Sequence, residues 1–166
     1  AGFGKKSKNW DVGISTKWLG AGYYSMGYPY VQNDRLDYLL NTRVNAFKNR
    51  MNLTASIGQR IGSLSISASR TRQLIANANL FSQFSDQFSL NMSFNNFGFH
   101  TPGLLGIKNV GNDLAINPTY TWTGENSSHM LSLNYNWSKY DEKSYASSTV
   151  LSNNSHTGVL MYVPSF

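Results

Sequence analysis

The sequence contains no cysteine, few prolines and little charge, and each shortage excludes a class of protein. Zero cysteine excludes disulfide frameworks, zinc–cysteine sites and thiol catalysis. Only 4 prolines together with 14% aromatic residues argue against intrinsic disorder. No run approaches the roughly 18 apolar residues of a transmembrane helix. The charged fraction, 13%, is about half the ~25% usual in soluble domains.

Uncharged polar residues take the place of the missing charge. The 166 residues, enough for one domain, include 22 Ser and 19 Asn, whereas an ordinary soluble surface needs interspersed charges of both signs. The net charge is +6, but its only cluster is Lys5, Lys6 and Lys8. We interpret residues 1–8 as a basic, solvated N-terminal segment and expect no nucleic-acid partner.

Strict alternation of apolar and polar residues predicts β-strands with one face of each kind. Phe88, Leu90, Met92 and Phe94 alternate with Ser89, Asn91, Ser93 and Asn95, for example. The pattern predicts about eight strands, at 9–19, 37–47, 51–61, 64–80, 87–97, 113–123, 129–140 and 155–165.

Connections of two lengths separate these strands. Short turns are expected at 48–50, 82–86 and 124–128, and longer ones at 20–36, 100–112 and 141–154. In an up-and-down arrangement the two kinds fall at opposite ends, as in bacterial outer-membrane barrels. The sequence therefore predicts an all-β, antiparallel, up-and-down transmembrane β-barrel over residues 9–166, with both termini in the periplasm.

The segment 64–80 is the exception, because it is longer than a bilayer requires and follows a short connection. Either this hairpin projects beyond the membrane, or a loop lies within 63–69. Arg70 and Arg72 share the apolar parity. If the hairpin projects, they contact lipid phosphates at the outer interface; the alternative for these two residues is a bulge that turns them inward.

Alternation alone does not say which face meets water, since a lipocalin-like soluble barrel has the same period. Two features favour lipid on the apolar face. The polar face carries Asn, Ser and Thr rather than charge, and aromatic residues concentrate near strand ends, as in the interfacial girdles of membrane barrels. The predicted girdle consists of Trp10, Trp18, Tyr120, Trp122, Trp137 and Tyr140.

Three basic residues share the polar parity and would place positive charge in the lumen: Lys17, Arg43 and Arg60. In an open lumen they would favour anions; alternatively they pair with Asp11 or backbone carbonyls and fill the interior. The other inward residues are short, which suits a wider lumen than eight strands enclose. The chain is therefore either a complete small barrel or a portion of a larger one.

Catalytic and metal-binding patterns are weak. His100, His129 and His156 have no partner at ligand spacing, so we expect no metal or cofactor. His129 beside Ser127 has the elements of a membrane phospholipase site, but serine is so abundant that chance neighbours are expected. We expect the protein not to be an enzyme.

The first long loop resembles a pattern in outer-membrane β-barrel proteins of Bacteroidota: Pro-x-Tyr-x-Ser-Leu-Gly, a nearby Tyr, then Asn-Asp. Here it reads Tyr23-x-Ser25-Met26-Gly27, then Asn33-Asp34, with Ala21 in place of Pro and Met26 in place of Leu. The hairpin 39–58 and the segment 71–97 are similar to this family in spacing. The resemblance implies a barrel in the bacterial outer membrane and carries over no catalytic or ligand residue.

Two functions follow as hypotheses. The first is a non-enzymatic, structural or accessory component of an envelope assembly; the second is a porin-like channel of which this chain is a portion. Expected partners are outer-membrane lipid and lipopolysaccharide, together with other outer-membrane proteins.

Overall fold

The computed structural model of the chain describes residues 1–22, 34–64, 70–101, 106–146 and 150–165. The described part is all-β, as predicted, and forms one sheet of nine antiparallel strands in chain order. The strands are β1 Gly2–Lys6, β2 Trp10–Leu19, β3 Arg35–Ala46, β4 Met51–Gly62, β5 Thr71–Gln83, β6 Phe88–His100, β7 Ile107–Thr123, β8 Ser128–Ser144 and β9 Val150–Ser165.

Each strand pairs with the next one along the chain, so the connections alternate between the two ends of the sheet. Turns of three or four residues join β1 to β2, β3 to β4, β5 to β6 and β7 to β8. The other four connections have between 5 and 15 residues. The predicted separation of short and long connections is confirmed without exception, because β5 begins at Thr71 rather than at Leu64. The alternative loop at 63–69 lies largely in residues 65–69, outside the described part.

Strand β1 was not expected. Gly2–Lys6 pairs with Asp11–Ser15 of β2, although the sequence analysis treats residues 1–8 as a segment ahead of the barrel. A ninth strand also changes where the described chain begins and ends. β1 runs towards the short-turn end from Gly2, which pairs with Ser15 partway along β2, and β9 also ends at the short-turn end, at Ser165. The prediction of both termini on one side requires an even number of strands.

The sheet is open. Within the described residues, β1 pairs only with β2 and β9 only with β8. Of the two alternatives, a complete small barrel or a portion of a larger one, the described strands do not form the closed barrel.

The strands are tilted in a way that suits a barrel wall. Pairing followed across the sheet from the first residue of β2 passes through Trp10, Val44, Leu53, Leu80, Met92, Ile116, Tyr135 and Gly158. Gly158 lies seven residues from the end of β9, so the register shifts by one residue per strand over seven steps. The rise is ~3.3 Å per residue and the spacing between strands is ~4.8 Å. The strands are therefore inclined by about 35° to the perpendicular of the line that joins the short turns. Barrels typically have tilts of about 35–45°.

Candidate functional site

The two faces of the sheet differ in chemistry. One, called here the apolar face, contains Ile14, Leu40 and Ile57, which are paired side by side on β2, β3 and β4. Their exposed fractions are 57%, 42% and 53%. The opposite, polar face contains Ser15 and Asn41 at the neighbouring positions, and Asn41 Nδ2 donates a hydrogen bond to Ser15 Oγ at 3.3 Å. The predicted alternation therefore corresponds to two distinct surfaces.

Charge is missing from a continuous strip of the apolar face, which we call the apolar band. It comprises the apolar-face residues of nine consecutive positions at the short-turn end of each strand from β2 to β9. The first position of β8 and the last positions of β5, β7 and β9 are left out. No position in this band is Asp, Glu, Lys or Arg. The band covers 10–18, 38–46, 51–59, 74–82, 88–96, 114–122, 129–137 and 156–164.

Aromatic residues bound this band at two levels. Trp10, Tyr120 and Trp122 lie within four residues of the short-turn ends of their strands, and Trp18 and Trp137 lie eight or nine residues further along. Eight residues extend about 26 Å along a strand, or about 21 Å along an axis inclined by 35° to it. The apolar belt of outer-membrane barrels is about 25 Å tall. Five of the six predicted girdle residues thus share one face.

Tyr140 does not lie with those five residues. It pairs with Gly111 and Asn153 on the polar face, where its hydroxyl donates to Glu142 Oε2 at 2.6 Å. This hydrogen bond, desolvation and the charge of the Glu142 carboxylate raise the pKa of Tyr140, which lies beyond the apolar band.

A stack of rings occupies the short-turn end of the apolar face. His129 lies 5.1 Å from the ring of Trp122 and 5.9 Å from that of Tyr162, in nearly parallel planes. Its Nδ1 is hydrogen bonded to Tyr162 Oη at 2.8 Å and its Nε2 to Ser127 Oγ at 2.9 Å. A neutral imidazole meets both contacts by donating one hydrogen bond and accepting the other. The structure thus brings Ser127 and His129 together, inside an aromatic cluster that fixes the ring.

Charge returns to the apolar face beyond the band, at the long-connection end. There β7, β8 and β9 continue past the level of Trp137, and the apolar face carries Lys108, Lys139, Asp141 and Lys143. Asp141 accepts a hydrogen bond from Ser152 Oγ at 2.6 Å and lies 3.2 Å from Lys139 Nζ. These contacts lower the pKa of the Asp141 carboxyl.

The two arginines predicted at the outer interface occupy different structural positions. Arg72 is the second residue of β5 and lies on the apolar face, opposite Ile61. Arg70 precedes the strand, and its Nη2 donates to the carbonyl of Leu64 at 3.4 Å. Of the two arginines, only Arg72 lies within a strand, and there it shares a face with the apolar residues, as its parity in the sequence predicts.

The polar face holds a charged cluster centred on Asp37, which is 4% exposed. Arg60 donates from Nε to Asp37 Oδ1 at 2.8 Å and from Nη2 to Oδ2 at 3.2 Å. Arg35 Nε lies 3.5 Å from Oδ2, and Lys17 occupies the position directly opposite Asp37 on β2. Two guanidinium groups thus contact one buried carboxylate, and a third basic residue, Lys17, is its register neighbour.

The predicted lumen residues Lys17, Arg43 and Arg60 all lie on this polar face. Arg43 stands opposite Asp11 in the register. The main partner of Arg60, however, is Asp37, which the sequence analysis does not single out. The register could have identified it, because a tight turn at 47–50 pairs residue 46 with 51 and therefore 37 with 60.

Burial is sparse on both faces. Leu19 is the only hydrophobic residue that is buried in the described part of the chain, and no side chain there is less than 2% exposed. A sheet in water has to cover its apolar face with another layer to form a core. The described strands place no such layer over the apolar band.

Neither a metal centre nor a membrane-spanning helix is present among the described residues. The described ranges contain no group of three or more His, Cys, Asp or Glu side chains placed to hold a metal ion. They also contain no helix of the length and apolarity needed to cross a bilayer. No family model matches the chain, and comparisons with curated proteins and with solved structures find no similar protein.

Proposed function

We propose that this sheet forms part of the lipid-facing wall of an outer-membrane β-barrel and that the protein is a non-enzymatic structural or accessory component of the bacterial envelope. The observation that carries this proposal is the apolar band. It is exposed, uncharged on eight strands, bounded by tryptophans at two levels and followed by charge on the long-connection side. Lipid chains cover such a surface as a second protein layer would in water.

The orientation follows the usual asymmetry of these barrels, which have short periplasmic turns and longer external loops. The turn at 47–50 would then face the periplasm, and the connection between β2 and β3 would face outward. The loop resemblance to Bacteroidota outer-membrane proteins supports the same location. Expected contacts are outer-membrane lipid, lipopolysaccharide and other membrane proteins.

Extraction tests the membrane location. The protein should stay with the membrane pellet during washes with 0.1 M sodium carbonate and enter solution only with detergent, because the apolar band would otherwise meet water. Release by carbonate, or full solubility of the refolded chain without detergent, would contradict the proposal.

A second candidate is a channel, of which this chain forms part of the wall. The open edges at β1 and β9 favour it, because further strands pairing there would enclose a wider lumen. The basic residues of the polar face, Lys17, Arg43 and Arg60, would then give the channel a preference for anions.

Conductance separates the two candidates. Purified protein in a planar bilayer should be electrically silent if its role is structural, whereas stepwise currents with anion preference would support the channel. Reduced anion preference in Arg43→Gln would link any current to the polar face.

The non-enzymatic part of the proposal has its own test. Purified protein incubated with phosphatidylethanolamine vesicles should release no more fatty acid than the His129→Ala variant. Hydrolysis that disappears in both Ser127→Ala and His129→Ala would overturn this part and assign the Ser127–His129 pair to catalysis.

A further inference from the structure

A row of basic side chains crosses the apolar face outside the apolar band, starting two residues beyond the band at Arg72 and ending six residues beyond it at Lys143. Arg72 of β5 pairs with His100 of β6, His100 with Lys108 of β7, and Lys108 with Lys143 of β8. The four positions are therefore neighbours along one line of paired residues. Three strand spacings of ~4.8 Å give this row a length of about 14 Å.

The charges in this row are poorly balanced by protein groups. Among the described residues, neither Arg72 nor Lys108 nor Lys143 forms an ion pair with a carboxylate. The acidic residue of the same face, Asp141, is engaged by Lys139 and Ser152. Lys108 and Lys143 stand directly opposite each other, an arrangement that is destabilising unless an anion lies between or beside them.

A cavity adjoins the row. It has a volume of about 350 Å³, and its lining includes Arg72, His100 and Lys108 on the charged side and Leu74 and Val110 on the side of the apolar band. Gly98, which pairs with Val110, also belongs to this lining. A Cβ atom at Gly98 would collide with the carbonyl oxygen of Asn109, so this position admits no side chain to fill the cavity.

We propose that this row and cavity bind the phosphate groups of an anionic lipid, with the acyl chains lying on the apolar band below. The assignment rests on the proposed membrane location, which puts the row at the outer interface. Guanidinium and ammonium groups form strong, charge-assisted hydrogen bonds to phosphate oxygens. A row about 14 Å long has room for more than one phosphate, which favours a phosphorylated glycolipid such as lipid A over a lipid with a single phosphate.

The test compares lipid binding by two variants that lose the same charge. Native protein in dodecyl maltoside micelles is titrated with lipid A, dioleoylphosphatidic acid and dioleoylphosphatidylcholine, and retained lipid is counted by native mass spectrometry. The double variant Arg72→Gln/Lys108→Gln should bind lipid A at least about tenfold more weakly than native protein, since each lost charge-assisted bond contributes substantially. The control Lys5→Gln/Lys6→Gln, at the short-turn end, should retain native affinity.

The outcomes are distinguishable. Equal lipid A binding by the row variant and the control overturns the site, and so does equal binding of lipid A and phosphatidylcholine by native protein. Displacement of lipid A by millimolar inorganic phosphate would assign the row to free anions instead of lipid. If the native protein is released from neutral vesicles by carbonate, the membrane location itself fails, whatever the binding data give.

Discussion

Asp37 on β3 and Arg60 on β4 lie opposite each other, and two guanidinium nitrogens of Arg60 donate hydrogen bonds to the two carboxylate oxygens of Asp37 at 2.8 and 3.2 Å. The carboxylate is almost fully buried, although it lies on the face of the sheet that is rich in Ser, Asn and Thr. A bidentate pair of this kind fixes both position and orientation. It therefore ties the hairpin of β3 and β4 together at the end opposite its tight turn.

Replacing Asp37 with Asn should destabilise the protein by about 2 kcal/mol, because Arg60 and Arg35 lose the carboxylate that compensates them. Urea titration in detergent micelles, followed by tryptophan fluorescence, measures the loss. The matched control is Asp86→Asn, whose exposed carboxylate pairs with Arg50 at 3.0 Å and should contribute almost nothing. Equal unfolding free energies for the two variants would show that the Asp37 pair is not a structural anchor.

A lysine on the apolar band should be far more costly than one on the polar face. Leu40→Lys is expected to lose about 2–4 kcal/mol in lipid vesicles, as charged groups do near the middle of a bilayer. Asn41→Lys, at the next residue but on the opposite face, should change stability little. Unfolding of both variants from the same vesicles by urea provides the comparison, and similar losses would contradict the assignment of the two faces.

Gly58 of β4 lies tightly against the backbone of β3. A Cβ atom there would collide with the carbonyl oxygen of Tyr38, whereas at Gly13 the nearest atom lies at an ordinary 3.6 Å. Gly58→Ala should therefore cost about 1–3 kcal/mol or prevent folding, and Gly13→Ala should be tolerated. The yield of folded protein and the urea midpoint measure both. Tolerance of Gly58→Ala would show that the strands separate more easily than the register implies.

The strand extension beyond the apolar band should weaken in acid. The pKa of Asp141 is lowered by Ser152 and Lys139, so the folded state favours its ionised form more than the unfolded state does. This stabilisation is present above the usual carboxyl pKa and is lost as the pH falls through the lowered value. Hydrogen exchange, corrected for its intrinsic pH dependence, should show weaker protection around Ser152 in acid. The dependence should disappear in Asp141→Asn and persist in Asp86→Asn.

Strand order and the two faces could be predicted from sequence because alternation is a local property. β6 is predicted at 87–97 and observed at Phe88–His100. β1 was missed because Gly2, Gly4 and two adjacent lysines give no alternating pattern, and only its pairing with β2 reveals the strand. Whether the sheet closes could not be predicted, since closure depends on which edges meet and not on the pattern within any strand.

The candidate site residues divide in the same way, into those that a local pattern predicts and those whose position depends on pairing between strands. The tryptophans at both levels were predicted because their parity and their distance from strand ends can be counted along the chain. Asp37 was missed although the turn at 47–50 fixes its position opposite Arg60. The basic row at the outer end was also missed. Its members come from four strands, and their alignment depends on three successive registers that accumulate along the sheet.

The most direct test of the account is an accessibility scan along β8. Because the chain has no cysteine, single cysteines at residues 131 to 136 can each carry a nitroxide label without background labelling. In reconstituted vesicles, labels at Leu131, Leu133 and Tyr135 should be relaxed mainly by oxygen dissolved in lipid. Labels at Ser132, Asn134 and Asn136 should be relaxed mainly by an aqueous nickel chelate. This alternation is the predicted result, and uniform access of the nickel chelate to all six positions would contradict a lipid-facing wall.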